Sequence, residues 1–148
     1  ERAAEGQLYM DDGQTFAYRD DQAFLARKFT LTRDGPGHLR LASISLTGRD
    51  IHTSASSTAL QVPGNAYEQE TSSVRVERII VYGLPEVHRI IARDAHGHET
   101  SLSFTYTSGT SRSPTASDAS ARLASRLEIR DPRVLIGQDW SILMEIAP

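Results

Sequence analysis

The sequence predicts an all-β fold, an antiparallel β-sandwich of about nine short strands. Three observations carry this. Apolar residues recur at alternate positions in short runs. Strong turn signals such as Asp34-Gly35-Pro36-Gly37 and Gly83-Leu84-Pro85 separate the runs. No segment joins helical periodicity over two or more turns to proper helix caps.

The chain opens with an expected hairpin. Leu8-Tyr9-Met10 and Thr15 to Tyr18 flank the turn Asp11-Asp12-Gly13, where Gly13 supplies positive φ and the Asp side chains cap turn amides. Phe24 to Thr32 sets Leu25, Arg27, Phe29 and Leu31 against Ala26, Lys28, Thr30 and Thr32. His38 to Leu46 alternates less regularly, and the slip at Ala42-Ser43 reads as a β-bulge. Residues 48–73 are rich in Ser, Thr, Gly and Gln, a long loop insertion with one short strand at Leu60-Gln61-Val62.

Val74 to Tyr82 is the strongest strand signal. Its apolar end, Ile79-Ile80-Val81, implies burial on both faces. Val87 to Arg93 follows, and Asp94 to His98 turns it into Thr100 to Tyr106, with Leu102, Phe104 and Tyr106 on one face. Residues 108–121 are half Ser and Thr and read as a second surface loop insertion. Ala121 to Ile129, Val134-Leu135-Ile136 and Trp140 to Ile146 complete the strands.

Composition narrows the function classes. At 148 residues the chain is one domain with enough length for a core. A net charge of −3 without a basic stripe argues against nucleic acid. The longest apolar run, Ile79 to Tyr82, is far short of a membrane-spanning helix. The absence of cysteine removes disulfides, thiolate catalysis and thiolate-bound zinc. Asn65-Ala66-Tyr67 is not a glycosylation acceptor. A start at Glu1 rather than Met reads as a piece of a longer polypeptide.

Several residues invite a chemical reading. Asp11 and Asp12 suggest a glycosidase pair or, with Asp20 and Asp21, a calcium site. Adjacent residues in extended chain point to opposite faces, so a capped turn is the better reading. His96 and His98, with Asp94, Glu99 and His88 nearby, suggest a metal; a polar hairpin tip explains them without one. His38 and His52 sit in polar loops. Glu77-Arg78 lies between apolar residues and needs a partner, across the sheet or on a neighbouring domain, unless it lies with Arg75 on a solvent-facing edge. Trp140, Tyr9, Phe16, Tyr18 and Tyr67 are a candidate sugar-stacking row. Alternate strand positions place most of them in the core, with Trp140 under the hairpin and Tyr67 the best exposed candidate. Ser141 lacks a nucleophile-elbow context. No catalytic, substrate-binding or metal residue and no cofactor is expected.

Four blocks carry a family resemblance: Glu5 to Tyr18 (EGQLYMDDGQTFAY), Phe24 to Phe29 (FLARKF), Val74 to Gly83 (VRVERIIVYG) and Leu127 to Leu143 (LEIRDPRVLIGQDWSIL). They resemble the distal C-terminal β-sandwich of the glycoside hydrolase family 31 α-glucosidases. The first block is shared widely in that family. The third and fourth, in this order, resemble its glucosidase II branch of catalytic α subunits. The resemblance fails in the two loop insertions. It implies a single accessory domain over residues 1–148 that lacks its first strand and so exposes a sheet edge. It implies a parent that trims α-1,3-linked glucose from N-glycans in the lumen of the endoplasmic reticulum. The two carboxylates of that chemistry, about 5–5.5 Å apart, belong to an upstream (β/α)8 barrel, so no catalytic residue carries over. The implied partners are that barrel, the glucosidase II β subunit and, through the parent, the N-glycan. A carbohydrate-binding module or a docking surface for the β subunit is the alternative.

Overall fold

The computed structural model describes residues 4–46, 66–109 and 124–147. The expected strand at Leu60-Gln61-Val62, His52 and residues 110–121 of the second insertion lie outside them. Nine strands and two single helical turns are present among the described residues: β1 (Ala4–Met10), α1 (Ala17–Asp20), β2 (Leu25–Arg33), β3 (His38–Ser45), α2 (Ala66–Glu70), β4 (Arg78–Tyr82), β5 (Val87–Arg93), β6 (Glu99–Ser101), β7 (Phe104–Thr107), β8 (Arg126–Arg130) and β9 (Trp140–Ile146). They form a six-stranded sheet in the order β1-β2-β3-β9-β5-β6 and a three-stranded sheet in the order β4-β8-β7, with all pairings antiparallel. The fold is the all-β sandwich that the sequence predicts.

Alternation places the core. Along β9, Trp140, Ile142, Met144 and Ile146 are buried, while Ser141, Leu143 and Glu145 face outward. Leu41 and Ala92 flank Ile142, and Leu39 and Ile90 flank Met144, so rows of apolar side chains cross three strands. Leu127 and Ile129 of β8 close over these rows from the small sheet. The outward face of the large sheet is polar instead. It carries the ion pairs Lys28–Glu5 (3.0 Å), Arg40–Asp34 (2.6 Å), Arg89–Glu145 (3.4 Å) and Arg93–Glu99 (2.5 Å). Each contributes at most about 1 kcal/mol, and together they mark a face suited to water.

Five expectations need correction. β1 does not pair with Thr15 to Tyr18. It pairs with β2, Met10 opposite Leu25, and Ala17–Asp20 is a helical turn. The cause is Asp12, whose carboxylate gathers the Gln14 and Thr15 amides and curls the chain before a second strand can form. The register of β3 runs unbroken through Ala42-Ser43 against both neighbours, so there is no bulge. Ser43 simply occupies a core position. The strand expected over Val74 to Tyr82 shortens to β4, preceded by a single bridge from Arg75 to Leu135. β4 is an edge strand with Ile80 37% exposed, so burial on both faces is also wrong. Finally, Thr100 to Tyr106 is two strands. The Leu102 amide donates to Ile90 O, and the chain then crosses from β6 in the large sheet to β7 in the small one.

Candidate functional site

The Asp11-Asp12-Gly13 loop consumes its own carboxylates. Asp11 Oδ1 accepts from the Gly13 amide at 2.9 Å. Asp12 accepts from the Gln14 and Thr15 amides, both at 3.1 Å, and from the Thr15 hydroxyl at 2.6 Å. The Thr15 hydroxyl bond, followed by the two amides, holds the Asp12 carboxyl below its ordinary value. Gly13 sits at φ +63, as the turn requires. Asp20 pairs with Arg19 rather than joining a cation site. The loop is a set of side-chain-capped turns.

What that loop presents to solvent is aromatic. Phe16 is 65% exposed, Tyr9 52% and Tyr18 38%. Tyr9 stacks on Phe24 with centroids 5.4 Å apart, Phe16 lies 6.3 Å from Tyr18, and the Arg19 guanidinium covers the Phe16 ring at 5.4 Å. Partial burial first, then a hydrogen bond to Asp11, pushes the Tyr9 phenol above its usual value. The expectation that these rings belong to the core is therefore overturned for Tyr9, Phe16 and Tyr18. Tyr67, expected as the best exposed ring, is half-buried and donates its hydroxyl to Asp11 O at 2.9 Å. Trp140 does join the core, against Phe29 at 6.0 Å across Ser43 rather than under the β1 loop.

A second polar constellation surrounds Asp94. The His96 and His98 amides each donate to Asp94 Oδ1 at 2.9 Å, and His98 Nδ1 lies 3.1 Å from Oδ2. Partial desolvation works against ionisation of Asp94, but the His98 and His96 bonds prevail and lower its pKa. Asp94, His96, Arg75, Arg133, Gln138 and Asp139 line a cleft of about 260 Å³. Both carboxylates are already committed, Asp94 to the hairpin tip and Asp139 to Arg27 and the Ser45 amide. Among the described residues no group of three or more His, Asp or Glu converges to hold a metal.

The charge pair sought at Glu77-Arg78 forms elsewhere. Arg78 reaches across the small sheet to Glu128 at 3.4 Å, and Arg126 and Arg130 join the same carboxylate at 2.6 and 2.8 Å. Glu128 is buried by these neighbours. Desolvation raises its pKa, yet the hydrogen bonds and charges of Arg126 and Arg130 outweigh it and the net direction is down. A lowered carboxylate contributes stability that is complete above its unfolded value near about 4.3 and is lost as pH falls through the folded value. Melting temperature should therefore fall on acidification from about pH 5 to about pH 3. A Glu128→Gln variant should melt lower than the native chain near neutrality and converge with it in acid. Parallel melting curves at all pH values would remove Glu128 from the account.

The residue that sequence reading missed is Arg27. It lies in line with Leu25, Phe29 and Leu31 and is fully buried, 0% exposed. Its guanidinium donates to Ser43 Oγ from two nitrogens at 3.1 and 3.0 Å, to Gly137 O at 3.2 Å, to Gln138 O, and to Asp139 Oδ1 at 2.8 Å. Arg27 thus ties β2 and β3 to the turn that leads into β9. The available signal was a lone arginine among apolar residues on one strand face, together with an Asp immediately before Trp140.

No family model matches the chain. It is 25% identical over 139 residues to neutral alpha-glucosidase AB of Homo sapiens, covering 94% of this chain and 11% of that protein. Its fold matches the ER glucosidase II heterodimeric complex of catalytic subunit and regulatory-subunit binding domain, with TM-score 0.66 at 24% identity over 97% of this chain and 13% of that one. It also matches the glucosidase II alpha subunit in its Glc1Man2-bound form, with TM-score 0.62 and the same identity and coverages. The resemblance drawn from the four sequence blocks is borne out. The chain spans only 11% to 13% of the length of the proteins it matches.

Proposed function

We propose that this chain is a non-catalytic β-sandwich of a longer glucosidase II-like α-glucosidase, docked against the catalytic portion of the same polypeptide. The observation that carries the reading is the exposed aromatic end formed by Tyr9, Phe16 and Tyr18. Contiguous exposed aromatic rings of this kind mark a surface made to be covered. The ion-paired outward face of the large sheet supports the same assignment by offering no comparable apolar area. In this reading the domain buttresses a (β/α)8 barrel that removes α-1,3-linked glucose from N-glycans in the endoplasmic reticulum. The barrel's own two aspartates do the chemistry. The β subunit is a further partner of the assembled enzyme.

The test is a set of single serine substitutions at Tyr9, Phe16 and Tyr18 in this domain, produced separately and mixed with the catalytic portion. A half-exposed ring that becomes buried on docking contributes on the order of 1.5 kcal/mol, so each change should weaken association of separately produced pieces about tenfold. Circular dichroism of the domain should be unchanged, and hydrolysis of an α-glucoside should fall with association. Unchanged association in all three variants would overturn the docking reading.

The same rings favour one second reading, a glycan-binding surface. Aromatic faces take the apolar side of a sugar ring, and Asp11 and Arg19 stand beside them. In that case oligosaccharide should raise the melting temperature of the native domain and leave that of the serine variants unmoved.

A further inference from the structure

Among the described residues β4 is an edge strand. The Gly83 amide donates to Ser125 O and the Asp131 amide to Glu77 O, both at 2.8 Å, which fixes the hydrogen-bonded pairs of the β4–β8 ladder at odd-numbered residues of this strand. The N–H and C=O groups of Ile79 and Val81 therefore point to β8. Those of Arg78, Ile80 and Tyr82 point the other way, where no described strand lies. A row of unpaired backbone groups is a template for one more strand.

Beside that edge the two sheets part. Phe29, Leu41 and Trp140 of the large sheet face Val76, Ile79 and Val81 across an open groove of about 360 Å³. A closed apolar cavity of about 150 Å³ already holds a benzene ring. A third observation falls on the same wall: Trp140 is only 6% exposed, and its indole N–H is buried with no hydrogen-bond partner among the described residues. Buried donors are nearly always satisfied, so the wall is incomplete as it stands.

We infer that the free edge of β4 and this groove receive an extended segment from the rest of the polypeptide, pairing with Arg78, Ile80 and Tyr82 and filling the groove with apolar side chains at alternate positions. The backbone edge demands an extended occupant rather than a helix. Arg75, Arg78 and Arg133 lie exposed along or near this side, which favours an acidic residue at its flank. The occupant comes from the same polypeptide because the matched proteins supply roughly seven-eighths of their length outside this region. This inference rests on the docking reading and names one contact within it.

The experiment is residue-resolved amide hydrogen exchange on the full polypeptide. The Ile79 and Val81 amides, bonded to β8, serve as the internal reference. The Ile80 and Tyr82 amides should be slowed at least about 100-fold relative to free chain. Ile80→Pro removes only the outward N–H and leaves the β8 ladder intact. It should return Tyr82 to fast exchange while Ile79 and Val81 stay protected, and Ile80→Ala should not. Fast exchange at Ile80 and Tyr82 overturns the inference, and so does protection that depends on protein concentration, which would assign the edge to a second copy. If the domain resists proteolytic separation from the catalytic portion while Ile80 and Tyr82 exchange freely, docking stands and the added strand falls. If the domain separates and the edge is free, both fall.

Discussion

Arg27→Met is expected to destabilise the domain by about 2–4 kcal/mol, because it strips the buried Ser43 hydroxyl and two main-chain carbonyls of their donor. The guanidinium is fully buried, and at least five hydrogen bonds leave with it. Two of its acceptors are main-chain carbonyls, Gly137 O and Gln138 O, in the turn before β9. Without the arginine that turn loses its tie to β2 and β3, and Asp139 keeps only the Ser45 amide among the contacts described above. Chemical denaturation should show the loss as a lower midpoint at unchanged slope.

Two companion variants separate charge from geometry. Asp139→Asn should cost less, about 1–2 kcal/mol, because the amide oxygen still accepts from Arg27 and only the charge assistance goes. Arg27→Lys should not rescue the native stability. Three donors on a flexible stem cannot serve Ser43, Gly137, Gln138 and Asp139 together as the planar guanidinium does. A lysine variant within about 0.5 kcal/mol of the native chain would show that the fork geometry is irrelevant.

The large sheet was legible in the sequence because its two faces differ. β9 alternates between core and surface at every residue, and β5 does so from Ile90 to Arg93. What misled was polarity at a core position and apolarity at an edge. Ser43 looks like a slip in the pattern of β3 until Arg27 is placed, and then its hydroxyl is the acceptor that a buried guanidinium needs. Ile79-Ile80-Val81 looks like a central strand, yet β4 has no neighbour on one side among the described residues, and Ile80 is exposed. Local periodicity reports which face is apolar and is silent on which strand lies next. The crossing between β6 and β7 was invisible for the same reason, since Leu102 continues the alternation while the chain changes sheets. The candidate site was less legible still. Period-2 reasoning assigned Phe16 and Tyr18 to a strand, and side-chain hydrogen bonds from Asp12 and Thr15 decided otherwise.

The small sheet offers the second large effect. It meets the core chiefly through β8, whose Leu127 and Ile129 are both fully buried. β8 is also the only strand bonded to both β4 and β7 among the described residues. Leu127 sits opposite Val81 on one side and Tyr106 on the other, so truncating it opens a void under both neighbours at once. Leu127→Ala should cost about 2–5 kcal/mol, toward the upper end if three strands cannot close on the cavity. The loss should be local in its first stage: the Val81 and Thr107 amides, bonded to β8 from either side, should exchange faster together, while Ile142 and Met144, held between β3 and β5, keep their protection. Thr105→Ala is the control. Thr105 is exposed on the other face of β7, and its loss should stay within about 0.5 kcal/mol. Equal, mild effects from both substitutions would mean that the small sheet is not packed on the large one as described. A large effect at Leu127 alone would make β8 the hinge on which the β4 edge, and whatever pairs with it, depends.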